Sequence, residues 1–125
     1  MAVTAKINRA CAFNQPIGRR REGKMNGIEL IAAERQRQID GEGWTLEHDD
    51  KQAYGALAKA GVSYASLAVA QLGGRVRALA LGACHIWRWP WSSEWWKPSN
   101  DPIRNLVKAG ALIAAEIDRL QRITS

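Results

Sequence analysis

The spacing of apolar residues predicts an all-α fold, a small helical bundle of three long helices joined through a tryptophan-rich crossover loop. Three observations carry that expectation. Apolar residues recur at three and four positions from Ile103 to Leu120. Glycines at 41 and 43, and again at 73 and 74, fall where periodic stretches end. Five of the six tryptophans (Trp87, Trp89, Trp91, Trp95 and Trp96) crowd between Ile86 and Pro98, where Pro90 forbids a long regular helix.

Residues 1–24 have no sustained period and contain Pro16 and the basic run Arg19-Arg20-Arg21, so they read as a flexible basic arm ahead of a helical domain over 25–125. A natural start at Met25 is the equal alternative. Asn26 and Glu29 have capping-box spacing, which opens a first helix running from about Ile28 to Asp40. Its expected inward face is Ile28, Ile31, Ala32 and Ile39, with Glu29, Gln36, Arg37 and Asp40 turned away. The connection Gly43-Trp44-Thr45-Leu46-Glu47-His48-Asp49-Asp50 follows. Thr45 caps a turn there, and Glu47, His48, Asp49 and Asp50 put four acid/base or ligating groups in a row. The plainer account is that the two aspartates favour a helix N-terminus and pair with nearby Arg or Lys.

A second helix is expected from about Asp50 to Leu72, with Ala53, Tyr54, Leu57, Ala60, Gly61, Tyr64 and Ala68 on one stripe. Small residues there permit close approach of another helix or a second subunit. Residues 75–85 fit a strand or a short helix equally, and His85 reads as structural. Asp101 at N-cap and Pro102 at N1 start the third helix, which runs to about Arg122. Ile103, Leu106, Val107, Gly110, Ile113, Ala114, Ile117 and Leu120 form its expected core stripe, with Arg104, Lys108, Asp118, Arg119 and Arg122 solvated. Glu116 falls at the edge of the apolar arc and needs a cation, most simply an arginine.

Composition narrows the function classes. The chain has 125 residues, 46% of them hydrophobic, enough for one modest core. Cys11 and Cys84 have neither metal spacing nor a disulfide framework and read as reduced thiols in a cytoplasm. No run approaches the ~18 apolar residues of a membrane span. The net charge of +6 is concentrated in the leader, where six Lys or Arg face Glu22 alone. Nucleic acid is therefore expected only through that arm.

The segments Glu34-Arg35 with Arg37-Gln38, Glu42 to Asp50, Trp89 to Pro98 and Leu106 to Leu120 resemble a family of small, mostly uncharacterised proteins of tailed bacteriophages and prophages. The resemblance covers about four fifths of the chain. It implies a phage accessory protein in the bacterial cytoplasm, without fixing an activity. A weaker likeness is to the all-α nucleotide pyrophosphohydrolases of the MazG type, whose paired carboxylates hold Mg²⁺ on a triphosphate. Here only Glu47 with Asp50 and Glu116 with Asp118 are available. The second helix lacks an E-x-x-E pair, and Asp118 points about 160° away from Glu116.

Three functions follow as expectations. The first is a homo-oligomeric binding protein that sequesters a nucleotide-type small molecule, such as a host immune signal, without catalysis or cofactor. Its ring would stack on Trp89, Trp91, Trp95 or Trp96, and its phosphates would meet Arg88, Lys97 and Arg104, with Glu47 and His48 nearby. Against this stands the reading that most of the tryptophans merely cover the third helix. The second is a Mg²⁺-dependent pyrophosphohydrolase using Glu47, Asp50 and Glu116. The third is a protein- or nucleic-acid-binding inhibitor of a host system that uses the basic arm.

Overall fold

The Asn26 N–H donates to Glu29 Oε1 at 2.8 Å and the Glu29 N–H donates to Asn26 Oδ1 at 2.9 Å, so the first helix opens on a reciprocal capping box. In the computed structural model the described residues are 23–74 and 89–124, and their regular structure is entirely helical. The elements are α1 (Gly27–Glu42), α2 (Leu46–Asp50), α3 (Ala56–Leu72), a 3₁₀ turn (Ser93–Trp95) and α4 (Pro102–Thr124). Cys11, Cys84, His85, Trp87 and Arg88 lie outside the described residues, as do most of the basic arm and the 75–85 segment. The chain divides into two units after Leu30. The capping box belongs to the first; the packing and the site below belong to the second.

The main packing is between α3 and α4. Leu57, Ala60 and Tyr64 meet Ala109, Leu112 and Ala115 in one buried cluster. Small residues set how close the helices come. A Cβ on Gly61 would lie 3.0 Å from Ile113 Cγ1 and 3.2 Å from the Ala109 carbonyl oxygen. Ile31 of α1 sits on Gly110, where a Cβ would meet its Cδ1 at 2.6 Å. No helix among the described residues is long and apolar enough to cross a membrane.

Three expectations about faces and boundaries are corrected. The second long helix starts at Ala56 rather than near Asp50, because Tyr54 (φ 57°) and Gly55 (φ 73°) are both left-handed and no right-handed helix passes through them. Ala53 and Tyr54 accordingly leave the core stripe, and Tyr54 is 93% exposed. On α1 the buried residues are Glu34 and Gln38, while Ala32 is exposed. The inward face of α1 is polar because α4 supplies it with an arginine.

On α4 the N-terminus forms as the Asp-Pro pair predicts, with the Ile103 N–H donating to Asp101 Oδ1 at 2.9 Å. Its buried face, however, is Asn105, Val107, Ala109, Ala111, Leu112, Ala115 and Glu116. Ile103, Leu106, Ile113, Ile117 and Leu120 remain largely exposed, with Ile103 at 61%. The alanine-rich side of α4 lets α3 approach closely, so packing chose that side over the bulkier Ile/Leu stripe. Arg104, Lys108, Arg119 and Arg122 are not on a free solvated face either; only Asp118 is plainly exposed.

Asn105, fully buried, ties the chain before α4 to the end of α3. Its Nδ2 donates to Gln71 Oε1 at 2.9 Å and to the Ser99 carbonyl at 2.8 Å, and its Oδ1 accepts from the Ser99 N–H at 3.0 Å. Gln71 Nε2 also donates to the Ser99 carbonyl. A fully partnered amide costs little to bury and fixes the register of the loop.

Candidate ligand groove

The tryptophan-rich segment divides into a sealed half and an open half. Trp96 stacks on Tyr64 (centroids 4.7 Å apart, planes 26°), and Trp89 meets both edge-on at 5.0 and 5.7 Å. The Tyr64 hydroxyl accepts the Lys97 N–H at 3.1 Å, and Trp89 Nε1 donates to the Ser92 carbonyl at 3.0 Å. Trp89 and Trp96 thus cover the α3/α4 core, and burial pushes the Tyr64 hydroxyl up from its ordinary pKa.

The open half is a groove of about 350 Å³ lined by Trp44, His48, Gln52, Trp91, Ser92 and Trp95. That volume suits a small ligand. Its walls are fixed from behind. Trp44 stacks on His48 at 5.6 Å with planes only 4° apart, as four-residue spacing at the start of α2 allows. Thr45 Oγ1 caps α2 by accepting the His48 N–H, and Asp49, fully buried, meets His48 Nδ1 at 3.3 Å through one oxygen and Arg35 Nη2 at 2.8 Å through the other. Gln52 Oε1 accepts from Trp91 Nε1 at 2.9 Å, which joins the far wall to the turn that follows α2. Trp95 is 47% exposed, with Lys97 Nζ 5.7 Å from its ring centroid.

A narrower crevice of about 30 Å³ adjoins this groove and shares Trp44 and Trp95 with it. Its remaining lining includes Glu34, Arg37, Gln38, Glu42, Lys97 and Lys108. Glu34 is its anchor. Arg37 grips that carboxylate with two bonds of 2.9 Å, Arg104 Nη2 reaches it at 2.6 Å, and Gln38 Nε2 donates to it at 3.1 Å. Burial opposes the Glu34 charge, but the hydrogen bonds from Arg37, Arg104 and Gln38 outweigh it and hold the carboxyl below its ordinary pKa. Arg37 also reaches Glu42 at 3.2 Å.

Lys108 Nζ donates to the Lys97 carbonyl at 2.6 Å and lies 5.4 Å from the Tyr64 ring centroid. Burial, then repulsion from Arg104, lower its pKa. Neither Lys97 nor Lys108 has a carboxylate at ion-pair distance among the described residues. The crevice thus places two ammonium groups without a close ion-pair partner among the described residues beside an aromatic groove, with the Glu34 and Glu42 carboxylates lining the same space.

Of the residues expected from the sequence, Trp91, Trp95 and His48 line the groove and Lys97 lines the crevice. Trp89 and Trp96 face the core, and Arg104 is held by Glu34. Glu47 is exposed and lines neither space. Asp50 pairs with Arg122 at 2.6 Å and Glu116 with Arg119 at 2.9 Å, so the expected metal trio is not assembled. The described residues contain no group of three His, Cys, Asp or Glu that could hold a metal ion. Sequence reasoning missed Trp44, Gln52, Gln38 and Lys108. The Trp44/His48 spacing was the one available signal. No protein-family model, curated protein or solved structure matches the chain.

Proposed function

We propose that this protein binds a nucleotide-type small molecule, a planar ring carrying an anionic group, and holds it without chemistry. The observation that carries the reading is the juxtaposition of the groove between Trp44, Trp91 and Trp95 with the ammonium groups of Lys97 and Lys108, which have no carboxylate at ion-pair distance among the described residues. Indole walls favour any flat π-system, and ammonium groups add the attraction for phosphate. Capture rather than turnover is supported by the ion pairs that occupy Asp50 and Glu116. In this reading the chain is a phage accessory protein that sequesters a host nucleotide signal in the bacterial cytoplasm. The exposed Ile103, Leu106, Ile113, Ile117 and Leu120 support a homo-oligomer, which sedimentation tests directly.

The test is tryptophan fluorescence and thermal melting against linear and cyclic nucleotides, with and without Mg²⁺, followed by chromatography of the nucleotide. Capture predicts a raised melting temperature and an intact ligand, since a ligand that binds only the folded state stabilises it. Metal-dependent cleavage would replace this reading with the pyrophosphohydrolase. Absence of any shift would remove both and favour a macromolecular partner for the basic arm.

A further inference from the structure

The polar side chains along the groove are unequally engaged. Gln52 accepts the Trp91 N–H at 2.9 Å and donates to the His48 carbonyl at 3.4 Å, so both ends of its amide are in use. His48 differs. Its Nδ1 lies 3.3 Å from Asp49 Oδ1, while its Nε2 has no hydrogen-bond partner among the described residues. Asp49 is fully buried and the His48 side chain is 34% exposed, so the ring turns Nδ1 inward and its opposite edge, which carries Nε2, toward the groove it lines. Trp44 stacks on the ring face and holds its plane.

Asp49 decides which nitrogen carries the proton. A carboxylate paired with an arginine only accepts, so the neutral ring keeps its proton on Nδ1 and leaves Nε2 with a bare lone pair. Arg35 Nη2 holds the other Asp49 oxygen at 2.8 Å and fixes the carboxylate's orientation. Asp49 and Arg35 are thus positioning residues, acting through the imidazole from behind the groove wall. We infer that His48 Nε2 is the groove's hydrogen-bond acceptor and takes one N–H or O–H group of the bound nucleotide. The inference rests on the groove reading above and adds how the ligand is oriented. A bare lone pair repels phosphate oxygens, so the anionic end turns away from His48 toward Lys97 and Lys108, which line the adjoining crevice and not the groove. The donor end lies at His48. Its two sources on a nucleotide are an exocyclic amino group of the base and a hydroxyl of the sugar. A site that hydrogen-bonds such a group discriminates against analogues lacking it, because its own polar atom is then left unpaired.

The test has two arms, both on the full chain. Long-range ¹⁵N–¹H spectra of the free protein, at alkaline pH where imidazoles are neutral, should show His48 protonated on Nδ1. The chain has two histidines, so His85→Gln assigns the signal. Protonation on Nε2 overturns the inference, whatever binds. The second arm is a set of paired titrations: adenosine against purine riboside monophosphate, guanosine against inosine monophosphate, and each ribonucleotide against its 2′- and 3′-deoxy forms. At least one pair should differ tenfold or more in affinity. That ratio should collapse toward one in His48→Phe, which keeps an aromatic ring on Trp44 and removes both nitrogens. The base pairs and the sugar pairs separate the two sources of the donor. The tautomer and the wild-type ratios need no change at His48, so poor folding of His48→Phe does not shelter the inference. Equal affinities within every pair, or a ratio that survives in His48→Phe, overturn it and leave the groove reading standing. Failure of every nucleotide to bind overturns both.

Discussion

Trp96 and Trp95 are chain neighbours of the same chemistry put to opposite uses. Trp96 lies flat on Tyr64 over the α3/α4 core, whereas Trp95 stands about half exposed between the groove and the crevice. The turn Ser93–Trp95 separates them, since each successive residue there points to a different side. An indole's contribution is thus set by what the local backbone aims it at. Residue type alone says only that it will bury area somewhere.

Substitutions on the core side have the larger expected effects. Trp96→Ala should destabilise the fold by about 3 kcal/mol, a large-to-small change in packed aromatics, read as a drop in urea midpoint. Asn105→Ala should cost about 2 kcal/mol, because it removes the partners of the Ser99 N–H and of Gln71 Oε1.

Glu34→Gln should cost about 1–2 kcal/mol at neutral pH, discounted because Arg37 and Arg104 can turn to water. Its pH signature is more specific. The folded pKa of Glu34 is lowered, so its stabilisation is complete above the ordinary glutamate value and lost as pH falls through the folded value. Urea midpoints measured across that acid range should fall less steeply in Glu34→Gln than in the wild type.

On the open side, an anion beside Lys108 should raise its lowered pKa. Below the folded value the lysine is already charged and binding is strongest. As pH rises through that value, affinity should fall and binding should take up protons, measurable by calorimetry in two buffers of different ionisation heat. Lys108→Met should remove this pH dependence and weaken anion binding by about tenfold, or ~1.4 kcal/mol.

What was legible in the sequence was local. The Asn26/Glu29 box, the Asp101-Pro102 start and the Thr45 cap each depend on atoms within three residues, and each formed. What was not legible depended on distant partners. Glu34 is buried because Arg104, seventy positions away, meets it, and an apolar count along α1 cannot register that. The Ile/Leu stripe of α4 had the clearer period, yet α3 packed on the alanine side, because contact distance rather than hydrophobicity decided the pairing. Tyr54 entered a left-handed turn that a tyrosine rarely adopts, so nothing in its neighbourhood announced the break before α3. The division of the tryptophans followed from these choices and could not precede them.

The most direct measurement is the affinity of Trp95→Ala for whichever nucleotide binds the wild type best, taken together with its melting temperature. An exposed groove wall predicts a loss in affinity of tenfold or more, with melting within a few degrees of wild type. Unchanged affinity in a folded Trp95→Ala would contradict the account, since the ligand would then lie somewhere other than this groove.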